Sequence, residues 1–125
     1  MFYYKSTIVN PAIKNVDVYS IVDTKKYAYV NYLNVVDGAI IQLHTIEIVK
    51  KLDEKKEDLL SLAIAEIRQK LESGSNELIV PFDIGFGLGN NKITIPQRGD
   101  KKKLLELSER NANTTKPKKK NSMIR

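Results

Sequence analysis

YAYVNYLNVVDGAIIQLHTIEIV, running from Tyr27 to Val49, decides the fold. Its first half alternates: Tyr27, Tyr29, Asn31, Leu33 and Val35 fall on one face, and Ala28, Val30, Tyr32, Asn34 and Val36 on the other. That is the period of two that a β-strand imposes. The second half does the same, with Ile40, Gln42, His44, Ile46 and Ile48 against Ile41, Leu43, Thr45, Glu47 and Val49. Between them stands Asp37-Gly38. A two-residue type I′ turn needs positive φ at both positions, and glycine accepts it without strain. Upstream, Val16 to Val22 is a further strand-like run, closed by Asp23-Thr24-Lys25-Lys26. Three consecutive antiparallel strands are expected.

Downstream the period changes. Leu60, Ile64, Ile67 and Leu71 form a stripe at helical spacing in a helix expected from about Glu54 to Glu72. Asp53 suits its N-cap, Glu54, Glu57 and Asp58 suit the positive end of its dipole, and Ser73-Gly74-Ser75-Asn76 stops it. Glu77 to Phe82, ELIVPF, reads as a compact apolar strand with Pro81 breaking it near its end. Ile93 and Ile95 mark a short buried strand, followed by a Pro96-Gln97-Arg98-Gly99 turn and a helix capped by Asp100. The order β-β-β-α-β-β-α predicts an α/β domain with a mixed five-stranded sheet and two helices. Residues 1–15 are expected to be an N-terminal arm, 16–112 the folded domain, and 113–125 a basic disordered tail.

Composition limits the possibilities. A chain of 125 residues with 42% hydrophobic residues holds one domain with one core. Zero cysteines exclude disulfides and thiolate metal sites and fit a cytoplasmic location. No apolar run approaches the ~20 residues that span a bilayer, and the start MFYYKSTIVNP does not resemble a signal peptide. Of the net charge of +6, residues 111–125 contribute five cations and no acid, so the remainder carries only +1.

The basic feature of the folded part is Arg98 with Lys101, Lys102 and Lys103. Cations in a first helical turn oppose the dipole, by ~0.3–1 kcal/mol each at exposed sites. Such a run is either a solvated turn or a contact to a phosphate, which the free N–H groups of a helix start also favour.

No catalytic arrangement can be assembled. Asp17, Asp23, Glu47 and Asp83 read as solvated or turn-capping carboxylates. A metal-dependent nuclease would need them to converge on its metal ions. His44 has no second histidine or cysteine beside it in sequence and reads as structural or surface. Gly85-Phe86-Gly87-Leu88-Gly89 leads toward a strand rather than a helix, and so reads as a connector and not a nucleotide loop.

The run Ile95-Pro96-Gln97-Arg98-Gly99-Asp100-Lys101-Lys102, continued by Leu104-Leu105-Glu106-Leu107 and closing on Asn111-Ala112, resembles a signature of the UvrC family, the incising component of the ABC excinuclease. STIVNPAIKNVDVYSIV, AYVNYLNVVDGAIIQLHTIEI, KKLDEKKEDLLSLAIAEI and ELIVPF resemble the same family in the same order, so the likeness covers about residues 5–112. The family's signature precedes its C-terminal endonuclease domain. The resemblance therefore implies a central domain of degenerate ribonuclease H-like fold, lying between the UvrB-binding hairpin and that nuclease. Phe82-Asp83-Ile84 looks like the family's catalytic FDISH strand, but it precedes the signature instead of following it. Gly85-Phe86 also replaces the Ser-His pair, so Asp83 does not inherit the catalytic role.

The family cuts DNA on both sides of a lesion in nucleotide excision repair, recruited by UvrB after UvrA locates the damage. The resemblance places both incision centres outside this chain. It implies a domain with no catalytic residue, no metal ligand and no cofactor, which positions the incision domains. Arg98, Lys101, Lys102 and Lys103 would give a weak, sequence-independent DNA contact. The implied partners are DNA, the UvrB–DNA complex and neighbouring UvrC domains, with no membrane. The alternatives are a pure intramolecular scaffold whose basic turn packs on protein, and a metal-dependent nuclease in its own right.

Overall fold

The computed structural model describes residues 13–51, 54–71, 75–84 and 91–123. Its elements are β1 (Asn15–Asp23), β2 (Tyr27–Val36), β3 (Ala39–Val49), α1 (Lys56–Leu71), β4 (Glu77–Ile79), β5 (Lys92–Thr94) and α2 (Asp100–Met123). The strands form one mixed sheet in the order β3-β2-β1-β4-β5. β1 to β3 are antiparallel neighbours, while β4 pairs parallel with both β1 and β5. The expected architecture is present, and so is the hairpin turn, with φ of 50° at Asp37 and 83° at Gly38.

Each face of the sheet carries one helix. Tyr19, Ile21, Ala28, Val30, Tyr32, Leu78 and Val80 pack under α1, against Leu59, Leu60, Ala63, Ile64 and Ile67. Val16, Val18, Leu33, Val35, Ile40 and Ile79 pack under Leu104 and Leu105 of α2. Leu60 and Ile64 are wholly buried, a burial worth ~1.5–3 kcal/mol for each such side chain.

Four local expectations are corrected. The strict alternation of β3 breaks at a bulge opposite Asn34/Val35, where Gln42 pairs with Asn34 and Ile40 with Val35. Ile41 becomes the extra residue, 58% exposed, and Ile40 joins the core on the α2 side instead of sharing a face with Ile46 and Ile48. The strand expected over 77–82 ends at Ile79, with one further ladder bond from Val80 N–H to Thr94 O (3.0 Å), as Pro81 requires. β5 is an edge strand, so Ile93 is half-buried and Ile95 is exposed rather than buried. The N-cap of α2 is Gly99, not Asp100. Gly99 O accepts the first helical bond from Lys103 N–H (3.1 Å), with Gly99 at φ 89°.

Helix α1 begins at Lys56 rather than Glu54, whose carboxylate instead accepts Lys51 N–H at 2.7 Å. Asp53, Glu72, Ser73 and Gly74 lie outside the described residues, as do residues 1–12 and Gly85–Asn90. Helix α2 continues past Ala112 to Met123, further than the helix drawn from sequence. The extension runs through Pro117, which has no N–H to give to the helical ladder and so reads in sequence as a stop.

Candidate functional site

Asp17, Asp23 and Glu47, which a nuclease would need together, are held apart by distance along β1 and by the pleat. Asp17 and Asp23 share the α1 face of β1 but stand six residues apart, roughly 20 Å along the strand. Glu47 pairs with Tyr29, on the α2 face of the sheet. Among the described residues, no three His, Asp or Glu side chains are placed to hold a metal ion. The nuclease alternative required these groups to converge, and their placement does not supply that.

Asp17 departs most from expectation: it is neither solvated nor a turn cap, and no part of it is exposed. Its Oδ2 lies 2.8 Å from Arg68 Nη1 and accepts the Tyr19 hydroxyl at 3.1 Å. Its Oδ1 accepts Asn34 Nδ2 at 3.0 Å and the Tyr32 hydroxyl at 3.3 Å. Arg68 also donates to Ser75 O, and Ser75 joins Asn34 and Asn15 through its hydroxyl. The cluster thus ties α1 to β1, β2 and the entry to β4. Tyr19 stacks on Tyr32 with ring centroids 5.2 Å apart. Burial pushes the Tyr19 hydroxyl far above its ordinary titration range, and the neighbouring Asp17 charge adds to that.

The other carboxylates are also engaged. Asp23 Oδ2 pairs with Lys50 Nζ at 2.8 Å. Glu47 accepts the Tyr29 hydroxyl at 3.1 Å, and burial together with this bond raises the Tyr29 titration. His44 is exposed on β3, and its carbonyl accepts from Asn31 Nδ2. On the α2 face, Ser108 lies 2.7 Å from Ser20 Oγ and donates to Asn31 Oδ1 at 2.8 Å. Asn31 in turn donates to Thr45 Oγ1.

The four cations at the start of α2 do not form one cluster. Lys101 turns back to Glu77 at 2.8 Å, where Thr94 Oγ1 also donates at 2.7 Å. Burial alone would raise the Glu77 carboxyl. The Lys101 and Thr94 hydrogen bonds and the charges of Lys101 and Lys92 outweigh it, holding the group below the usual carboxylate range. Arg98 and Lys103 are exposed and Lys102 is half-buried, and among the described residues none of the three enters an ion pair. Exposed Lys92 stands on β5, whose Thr94 shares the Glu77 carboxylate.

Sequence reasoning missed Asp17–Arg68. Two signals pointed to it: Asp17 shares a strand face with Tyr19 and Ile21, and Arg68 lies four residues after buried Ile64.

A β3-β2-β1-β4-β5 sheet, with an antiparallel meander followed by strands laid parallel beside β1 and a helix on each face, defines a ribonuclease H-like domain. Residues 15–119 match the model of the UvrC Ribonuclease H-like domain, and the chain belongs to that family. It is 57% identical over 108 residues to UvrABC system protein C of Christiangramia forsetii, covering 86% of this chain and 18% of that protein. It is 54% identical over 105 residues to the same protein of Bacteroides fragilis, covering 83% and 17%. The chain therefore spans under a fifth of the length of these relatives. A Ciona intestinalis endonuclease V, solved in complex with DNA, aligns over 61% of this chain and 40% of its own with TM-score 0.41 and 8% identity. Among the described residues, no helix is long and apolar enough to cross a membrane.

Proposed function

We propose that this domain is a non-catalytic positioning module of the UvrC protein in nucleotide excision repair. It holds the incision domains in register and meets DNA phosphates weakly through the turn that opens α2, with no cofactor of its own. The observation that carries the DNA contact is electrostatic. Arg98, Lys102 and Lys103 surround a helix start whose dipole they oppose, and among the described residues no carboxylate pairs with them. Cations kept there at a cost to the helix suit an anionic partner. Lys101 belongs to the same group by sequence but acts here through Glu77, setting the turn against β4. The partners of the reading are DNA, the UvrB–DNA complex and neighbouring UvrC domains.

A pure scaffold is the second reading. It is favoured by the Lys101–Glu77 pair, which already commits one of the four cations to protein.

Fluorescence anisotropy of a labelled duplex and a single strand across a salt series separates the two. The chain is compared with a truncation ending at Ala112 and with a variant carrying Arg98, Lys102 and Lys103 as Ala. Phosphate contact predicts binding by the truncation, little base preference, and a salt slope lowered by ~0.9 for each phosphate that the variant no longer neutralises. Binding that disappears with residues 113–125, or is absent throughout, refutes the DNA contact and leaves the scaffold.

A further inference from the structure

The two edges of the sheet differ. β5 is three residues long and is followed by Pro96, which ends pairing. β3 is eleven residues long and, among the described residues, pairs on one side only, with β2. It contains no lysine, arginine or proline, the residues that usually blunt an open edge. It also displays Ile41, Leu43 and Val49 at 58%, 42% and 69% exposure. Beside it, a groove of about 500 Å³ runs between the end of β3 and α1, lined by Ile48, Val49, Leu59, Leu62 and Ala63. Leu62 is itself 64% exposed.

The ladder fixes which peptide groups face outward. Lys50 N–H donates to Lys26 O at 2.8 Å, so 26 and 50 form a hydrogen-bonded antiparallel pair. Counting back by twos, Ile48, Ile46, His44 and Gln42 bond inward to β2. Leu43, Thr45, Glu47 and Val49 then present their N–H and C=O groups to the free edge.

We propose that this edge pairs with β3 of a second copy of the chain, antiparallel about a two-fold axis at Ile46, to make a continuous ten-stranded sheet. The choice of occupant rests on the self-complementarity of the strand. With the axis at Ile46, Leu43 lies opposite the partner's Val49, and Glu47 opposite the hydroxyl of the partner's Thr45. His44 lies opposite the partner's Ile48. Shifting the axis to Thr45 or His44 would set Glu47 against an apolar residue, Leu43 or Ile41. No like charges meet, because Glu47 is the only formal charge on the strand. The net charge of residues 1–110 is only +1, so two folded parts approach without strong repulsion. The pairing would close about eight backbone hydrogen bonds and cover the exposed Leu43 and Val49 side chains. The interface is smaller than the ~800 Å² per partner of stable complexes, so the dimer is reversible and concentration-dependent.

Sedimentation velocity of the whole chain over a range reaching ~0.5 mM, the weak end of specific association, tests the proposal. A reversible monomer–dimer equilibrium is expected. It should be abolished by Leu43→Lys with Val49→Lys, two exposed positions whose change leaves the melting curve in place. The chain has no cysteine, so single cysteines report the register. Ile46→Cys faces itself across the axis, in a non-hydrogen-bonded pair ~4.5 Å apart, and should oxidise to a disulfide dimer. Leu43→Cys should oxidise far less, because it faces position 49. A monomer at every concentration overturns the proposal, including the case in which another segment of the same chain holds the edge. So does a dimer indifferent to the two lysines, or equal crosslinking at 43 and 46.

Discussion

Replacing Arg68 with methionine is the sharpest test of what holds this domain together. Methionine keeps most of the aliphatic stem that packs beside the core, so the change isolates the guanidinium. The wild-type pair is 2.8 Å apart, with Asp17 fully buried and Arg68 18% exposed. Removing one member of a buried pair costs ~3–5 kcal/mol, because the remaining charge stays desolvated. Here Asp17 keeps neutral donors that include Tyr19, Tyr32 and Asn34, which places the loss at the lower end, ~3 kcal/mol. For a domain of this size that is a fall in Tm of roughly 10–20 °C. The reverse change, Asp17→Asn, should cost less, ~1–2 kcal/mol, because Arg68 reaches solvent and keeps its bond to Ser75 O. Urea unfolding followed by circular dichroism measures both. A loss under about 1 kcal/mol would refute the reasoning, because it would make the pair a surface-like contact.

Ser108→Ala leaves the Asn31 side-chain oxygen and Ser20 without their helix partner, and should cost ~1–3 kcal/mol by the same unfolding assay. An unchanged midpoint would mean that the α2 face does not depend on this contact. Gly99→Ala meets no atom within 4 Å, so only the backbone at φ +89° resists it. The expected loss is ~1–2 kcal/mol, and a neutral result would place the turn in another conformation. Because the Glu77 carboxyl is held below its usual range, its contribution is fully present above the unfolded value near 4.5 and is lost as pH falls through the folded value. The stability difference between wild type and Lys101→Met should therefore be flat from neutral pH down to about pH 5 and shrink toward pH 3. A difference that grows toward acid would reverse the assignment.

The strands and their order were legible because a period of two is a strong signal, and because Asp37-Gly38 fixes the hairpin with no help from the rest of the chain. The bounds of β2 and β3 fall where the alternation puts them. What sequence left hidden was long-range. The bulge that turns Ile41 outward depends on how β3 seats against β2. The burial of Asp17 depends on Arg68, 51 residues away, arriving from the opposite layer. A lone aspartate in a strand reads as a solvent-facing residue unless its face is followed, and here that face holds Tyr19 and Ile21. The N-cap is misread from sequence by one residue, Asp100 for Gly99, for a short-range reason. The aspartate side chain suited the cap, but the carbonyl that accepts the first helical bond belongs to the glycine one residue earlier. For the basic turn, sequence showed four cations together, but which of them is committed to Glu77 depended on the parallel pairing of β4 and β5.

The buried polar groups of this domain sit where a helix meets the sheet. Apolar stripes such as Leu104–Leu105 on α2, or Leu60, Ile64 and Ile67 on α1, gain nearly as much by sliding along the sheet as by staying, because the hydrophobic effect is non-directional. Hydrogen bonds do not tolerate such a slide. Ser108 can meet Ser20 and Asn31 at one height of α2 only, and Arg68 can meet Asp17 at one height of α1 only. Lys101 fixes a third point, the distance from the first turn of α2 to β4. Each contact adds little net stability, and breaking one is expensive, so together they set positions more than they add strength. The positioning role proposed above needs that property more than extra stability. Loosening Ser108 or Arg68 should therefore disturb the spacing between modules in the full-length relatives at temperatures where the domain itself remains folded.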